Sequence, residues 1–115
     1  MSWNSKILAP LLVLLSGCSI YPAIAIEVCP SRHEQPLRYV DVFDGTPEEL
    51  ATLVPDRAEE SSGYWLLGYI YDAGRFVTIR CKYADEQAVD VKLSTRVEKC
   101  SYQVSAKKIL KLYCK

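Results

Sequence analysis

Alternating apolar and polar residues cover most of the second half of the chain. Between Arg75 and Tyr83 every second residue is apolar from Val77 onward, so one face of a strand is apolar while the other is polar. The stretches 64–71, 89–94, 100–104 and 110–114 are also rich in aromatic, β-branched or alternating apolar residues. This pattern is typical of short antiparallel strands, and it predicts a hairpin in which 72–74 joins strand 64–71 to strand 75–83.

A single helix is predicted after the first strand, Arg38–Phe43. Thr46 can cap this helix, Pro47 suits its first position, and Glu49 stands three residues after Thr46 as in a capping box. The helix would end at Pro55 after about two turns. Its apolar face would consist of Leu50, Leu53 and Val54.

These elements predict an α+β fold that is mainly β, an antiparallel meander of four to five short strands with one short helix and two disulfides. The length of 115 residues leaves room for one domain. A domain of this size buries only about 60 to 65% of the surface of its unfolded chain. Its core alone therefore gives a thin margin of stability.

The first 25 residues have the organisation of an export signal. A single cation, Lys6, precedes nine apolar residues, 7–15, which are too few to span a bilayer. Leu15-Ser16-Gly17-Cys18 resembles a lipobox, in which 1–17 is removed and Cys18 is lipidated. Ala23-Ile24-Ala25 offers a different cleavage site, which would remove 1–25.

Both cleavage sites predict a protein of the bacterial periplasm. Residues 18–28 would be a tether or the remainder of the signal, and residues 29–115 would form the domain. If Cys18 is acylated, the acyl chains anchor the protein to a membrane. Ser19 is not the aspartate that commonly retains lipoproteins at the inner membrane, so the expected location is then the outer membrane.

The cysteine count agrees with export. Of five cysteines, Cys18 is either acylated or discarded, and the other four are expected to form two disulfides in one of three pairings. The favoured pairing joins Cys100 to Cys114 across a hairpin and Cys29 to Cys81 between the N-terminal region and the sheet. On a loop-entropy estimate these closures would contribute about 3 and about 4 kcal/mol respectively.

Charge is balanced overall but uneven along the chain. The formal net charge is zero, which gives no global attraction to nucleic acid. Residues 41–60 contain seven acidic residues against Arg57 alone, whereas 75–115 contains ten basic and four acidic residues. Two interpretations stay open: solvated faces that keep the domain soluble, or a charged patch that steers a partner of opposite sign.

No motif in the sequence indicates catalysis, a cofactor or a metal. His33 is the only histidine and lies in a polar stretch, and no Cys-x-x-Cys, Gly-x-Ser-x-Gly or glycine-rich phosphate loop is present. Glu48 and Glu49 are adjacent, and neighbouring helical side chains point about 100° apart, which does not suit a pair of catalytic carboxylates. The sequence thus predicts a protein that is not an enzyme and holds neither cofactor nor metal.

Aromatic residues are concentrated in the predicted strand 64–71. One interpretation is that these rings fill a small core, which is the usual role of aromatic residues in strands. Tyr64 and Trp65 are neighbours, however, and neighbours on a strand point to opposite faces. At least one of the two rings is therefore expected to reach solvent or the helix, where it can anchor a partner.

The order of short motifs from Cys29 to Lys115 carries a family resemblance. The motifs are Cys29-Pro30, Phe43-Asp44-Gly45, Pro47-Glu48-Glu49, Leu53-Val54-Pro55-Asp56, Trp65, Cys81-Lys82-Tyr83, Cys100 and Cys114-Lys115. In this order they resemble a family of small exported proteobacterial proteins. Some members resemble immunity proteins of type VI secretion effectors that attack peptidoglycan, including effectors of the L,D-transpeptidase type.

The resemblance implies a protein partner, the cognate cell-wall effector, whose active-site cleft would be blocked. The expected contact residues are Tyr64, Trp65, Asp44, Glu48, Glu49 and Asp56. Two other classes fit an exported β-rich domain: an inhibitor of lysozyme, and a structural lipoprotein of the envelope.

Overall fold

The computed structural model describes residues 24–115, which form two antiparallel β-sheets around one core. The strands are β1 (Ile26–Glu27), β2 (Leu37–Asp44), β3 (Arg57–Ala58), β4 (Ser62–Leu66), β5 (Val77–Tyr83), β6 (Ala88–Leu93), β7 (Lys99–Val104) and β8 (Leu110–Cys114). One α-helix, α1 (Gly68–Asp72), and one 3-10 turn, Pro47–Glu49, complete the fold. The predicted fold class, mainly β with antiparallel strands and one short helix, is confirmed. Residues 1–17 and Cys18 lie outside the described residues.

The strands are divided between a larger and a smaller sheet. The five-stranded sheet has the order β1-β8-β7-β4-β3, and the three-stranded sheet has the order β2-β5-β6. Their inner faces carry the apolar residues of the alternating pattern, such as Ile79 on β5 and Leu112 on β8, both fully buried. Alternation along each strand thus placed one face inward, as the sequence predicted.

The predicted hairpin between 64–71 and 75–83 is wrong. Strand β4 ends at Leu66 and pairs with β7, while β5 pairs with β2 and β6. Residues 68–72 instead form α1. Leu67, Ile70 and Tyr71 have the spacing of one helical face, and Leu67 and Ile70 are fully buried. The aromatic content of residues 64–71 favoured a strand, but residues 68–72 form a helix because this conformation buries Leu67 and Ile70.

The predicted two-turn helix after Thr46 is also wrong beyond its first turn. The capping-box contact forms, because Glu49 Oε1 accepts a hydrogen bond from the Thr46 N–H at 3.2 Å. After Leu50, which has a left-handed backbone with φ 60°, the chain extends and pairs with the edge of β2. The Leu53 N–H donates to the Val42 carbonyl at 2.7 Å. Pairing with β2 therefore replaces the second helical turn.

Two disulfides lie in the core. Cys100–Cys114 joins the paired strands β7 and β8, and Cys29–Cys81 joins Cys29, two residues after β1, to the central strand of the smaller sheet. Because β1 belongs to the larger sheet, Cys29–Cys81 links the two sheets covalently. This pairing is the one favoured from the sequence.

Removing the link between the sheets is expected to destabilise the fold more than removing the link within one sheet. The double variant Cys29→Ser with Cys81→Ser should lower the free energy of unfolding by about 4 kcal/mol, and Cys100→Ser with Cys114→Ser by about 3 kcal/mol. The difference follows from sequence separations of 52 and 14 residues. Urea unfolding of both variants measures it. A loss below about 1 kcal/mol for the first variant would contradict this account.

Candidate functional site

Trp65, the first expected contact residue, is part of the core. Its side chain is 5% exposed, and its ring centroid lies 5.4 Å from that of Tyr102. Its Nε1–H donates to the Leu53 carbonyl at 3.1 Å. The indole therefore joins β4 to the segment that precedes it and has little surface to offer a partner.

Tyr64 points to the opposite face of β4, as expected for the neighbour of Trp65. Its side chain is half-buried, and the Nζ of Lys99 lies 4.3 Å from the ring centroid. Tyr64 faces Ser101 on β7 and Arg57 on β3. It is the only ring of the expected contact set on the outer face of the five-stranded sheet.

Asp44 and Glu49 are joined by one arginine. Arg75 Nε donates to Asp44 Oδ1 at 2.7 Å, and Arg75 Nη2 donates to Glu49 Oε2 at 2.6 Å. The hydrogen bond from Arg75 lowers the pKa of Glu49 below its usual value of 4.5, with help from the Thr46 N–H. The same two carboxylates raise the pKa of Arg75, Asp44 being the larger influence. Both acids thus hold the 3-10 turn in position.

The other two expected acidic contacts, Asp56 and Glu48, differ in whether a described residue pairs with them. Asp56 Oδ2 accepts a hydrogen bond from the Leu66 N–H at 2.6 Å, and the Asp56 N–H donates to the Tyr64 carbonyl at 2.9 Å. Glu48 forms no ion pair with any residue from 24 to 115. Of the four expected acidic contacts, only Glu48 is therefore without a structural partner within the described chain.

The structure brings the expected residues together around residues 46–56, which we call the connecting segment. At its start it is fixed through Glu49, in its middle through Leu53, which bonds to both β2 and Trp65, and at its end through Asp56. The segment thus bridges the two sheets. Most of the residues expected to contact a partner hold this segment in place.

Sequence reasoning missed the large apolar side chains that reach solvent. Leu50 and Val54 are 81% and 84% exposed although helical spacing predicted them on a buried face. Leu66 and Tyr39 are 49% and 68% exposed. In β2, Tyr39 and Asp41 alternate with Val40 and Val42, and this alternation indicated that Tyr39 points outward. The sequence contained no such signal for the exposed side chains of the connecting segment.

An open cleft of about 1710 Å³ runs along β2. Part of its charged lining is paired: Asp41 Oδ2 lies 2.6 Å from Lys82 Nζ, and Arg80 binds both carboxylate oxygens of Asp90 at 2.8 and 3.0 Å. The hydrogen bond from Arg80 lowers the pKa of Asp90 below its usual range. An ionised, paired carboxylate is a poor proton donor.

Within residues 24–115, no group of three or more histidine, cysteine, aspartate or glutamate side chains is arranged to hold a metal ion. Within the same residues, no helix is long and apolar enough to cross a membrane.

The ion pair of Glu49 predicts a pH-dependent contribution to stability. Its pKa is lowered in the folded state, so its contribution is present above about pH 4.5 and is lost as the pH falls through the folded-state pKa. Glu49→Gln should therefore be less stable than the wild type near neutral pH, and the difference should shrink on acidification. Glu48→Gln is the matched control and should follow the wild type. Chemical unfolding from pH 3 to pH 8 tests this, and an equal deficit at every pH would contradict it.

The comparisons with known proteins bear on the same part of the chain. The family model of the type VI secretion system Tli immunity protein matches residues 31–115. No curated protein and no solved structure matches the chain. The matched range contains β2 to β8, the connecting segment and three of the four disulfide cysteines. The resemblance to immunity proteins is confirmed, and since the match covers well over half of its residues, the chain belongs to the type VI secretion system Tli immunity protein family.

Proposed function

We propose that this immunity protein acts in the periplasm and neutralises an effector that attacks peptidoglycan, of the L,D-transpeptidase type. Membership of the family gives it a protein partner, a type VI effector. The observation that carries the rest of the proposal is the pair of disulfides in the core. Such crosslinks form and persist in oxidising compartments, and in these bacteria that compartment is the periplasm.

The N-terminal sequence supports the same location. The apolar run 7–15 is followed by the lipobox-like Leu15-Ser16-Gly17-Cys18, which would direct export and lipidation. An acylated Cys18 would hold the protein at the membrane that borders the peptidoglycan layer. There it would meet an incoming effector before the effector reaches its substrate.

The structure suits an inhibitor that acts by occupying a surface. Both sheets are crosslinked, and the connecting segment between them is hydrogen-bonded at its start, middle and end. A rigid surface loses little conformational entropy when it docks, so more of the contact energy appears as affinity. Such a protein needs no catalytic group of its own, because covering the effector's active-site cleft is sufficient.

The choice of a peptidoglycan-cleaving or peptidoglycan-modifying effector rests on the motif resemblance and on the compartment. An L,D-transpeptidase acts on peptide stems that are exposed only outside the inner membrane. An immunity protein against it must therefore fold and bind in the periplasm. Two core disulfides and the predicted export signal support this requirement.

Co-expression in a susceptible bacterium tests the proposal. The effector encoded next to this chain's gene is directed to the periplasm with or without the immunity protein, and culture density and cell shape are followed. We expect lysis or rounding without the immunity protein and growth within about twofold of the uninduced culture with it. A catalytically inactive effector provides the control for general toxicity. A version of this chain without residues 1–25 should give no protection, because it stays in the cytoplasm.

Two results would contradict the proposal. Lysis that is unchanged by the full-length protein would remove the immunity function. Protection against an effector that hydrolyses membrane lipid, without protection against the L,D-transpeptidase, would remove the peptidoglycan target alone.

The lipid anchor makes a separate prediction. Intact mass spectrometry of the mature protein should show a chain that begins at Cys18 and carries the mass of the lipid, and Cys18→Ala should abolish this species. The wild type should sediment with the outer membrane after cell fractionation. A mature chain that begins at Ile26 without added mass would show that the lipobox is not used.

A further inference from the structure

The acidic and the basic part of the sequence differ in how many of their charges form ion pairs in the structure. In the acidic half, Asp44 and Glu49 pair with Arg75, Asp41 pairs with Lys82, and Glu59 pairs with Arg57. Asp56 is satisfied by a backbone N–H. Most of the negative charge between 41 and 60 is thus used inside the molecule and adds little to long-range attraction.

The basic half keeps its charge mainly toward its end, because Arg75, Arg80, Lys82 and Arg96 are paired. The hairpin formed by β7 and β8, residues 99–115, contains five lysines and no aspartate or glutamate. None of these lysines forms an ion pair with any residue described in the structure. The five are Lys99, Lys107, Lys108, Lys111 and Lys115. Within residues 24–115, this hairpin is therefore the main concentration of unneutralised charge.

Strand register places much of this charge on one face. Tyr113, Ser101 and Tyr64 lie directly opposite one another on β8, β7 and β4, on the side away from the core that holds Cys100 and Cys114. Lys99, Lys111 and Lys115 have the same side-chain direction by alternation along the strands. We call this side, with Leu66 at its border, the outer face of the five-stranded sheet.

Two lysines on this face oppose each other directly. Lys99 and Lys115 exchange both backbone hydrogen bonds, at 3.1 and 2.9 Å, so they form a cross-strand pair. Like charges in such a pair are destabilising. No acidic side chain of the described residues offsets this pair by an ion pair, and packing of the core does not require it, since both side chains point outward.

The face is also rigid. Cys100–Cys114 crosslinks the two strands at the base of the hairpin. At its tip, Arg38 donates hydrogen bonds to the carbonyls of Lys107 and Lys108 at 3.1 and 2.8 Å, which ties the turn to β2. Charges held on a rigid frame lose little freedom on binding.

From this arrangement we infer that the outer face of the five-stranded sheet is the surface that docks onto the effector, and that it binds an acidic patch of that protein. The inference rests on the proposed function for the nature of the partner. The lysines would steer and orient the encounter, while Tyr64 and Tyr113 supply aromatic contacts at the centre. A face with half-buried rings matches a protein surface, whereas insertion into a bilayer needs projecting apolar side chains.

Association kinetics with the purified effector test the inference. Lys111→Glu changes an exposed residue of the outer face, and Lys92→Glu makes the same charge change on β6 of the other sheet, where Lys92 also forms no ion pair with a described residue. At low ionic strength we expect Lys111→Glu to slow association about tenfold and to flatten its dependence on salt. Lys92→Glu should stay within about twofold of the wild type.

The outcomes separate this inference from the proposed function. If Lys111→Glu associates with the effector as fast as the wild type, or if both variants slow association equally, the inference is overturned and the proposed function stays intact. A different outcome is that the wild type binds vesicles with 30% anionic phospholipid, with Lys111→Glu abolishing this binding and leaving effector binding unaffected. That result would assign the face to a membrane and would also overturn the inference. A wild type that fails to bind the effector would remove the proposed function, and this partner with it.

Discussion

The Cys29–Cys81 disulfide is the constraint on which the arrangement of the two sheets depends. Cys29 follows β1 at the edge of the larger sheet, and Cys81 lies in the central strand of the smaller one. A domain of this size has too small a core to hold two sheets together with a wide margin. A covalent link over 52 residues removes much of the freedom of the unfolded chain and contributes about 4 kcal/mol. The fold therefore depends on the oxidised state of this cysteine pair.

The connecting segment complements this link on the other side of the core. It pairs with β2 through Leu53, receives the Trp65 indole, and is anchored at its ends by Glu49 and Asp56. Because Trp65, Glu49 and Asp56 make these contacts inside the molecule, they are not available to a partner. The same contacts also leave Leu50 and Val54 exposed to solvent. In a helix these two side chains would face the core, but they point outward from the extended backbone.

Charge pairing then decides which surface of the immunity protein can act at long range. Arginines pair with half of the acidic residues, as Arg75 does with Asp44 and Arg80 with Asp90, and the lysines of 99–115 are left without acidic partners within the described chain. An exposed pair adds little stability, but pairing does cancel the field of both groups at a distance. The largest cluster of unpaired cations in the described chain lies on one disulfide-bonded hairpin.

The sequence by itself determined the features that depend on local order: the strand Arg38–Phe43, the alternating strands from Val77 to Cys114, the opposite directions of Tyr64 and Trp65, and the wealth of cysteines in a small chain. Each is written in residue spacing, and strand periodicity needs no knowledge of the partner strand. Tertiary structure decided the rest. It made 68–72 a helix because Leu67 and Ile70 found a core there, it ended the predicted helix at Leu50 because β2 offered an unpaired edge, and it buried Trp65 rather than Tyr64. It also chose which charges meet, because an ion pair such as Arg75 with Asp44 joins residues 31 positions apart, and spacing along the chain carries no information about that distance.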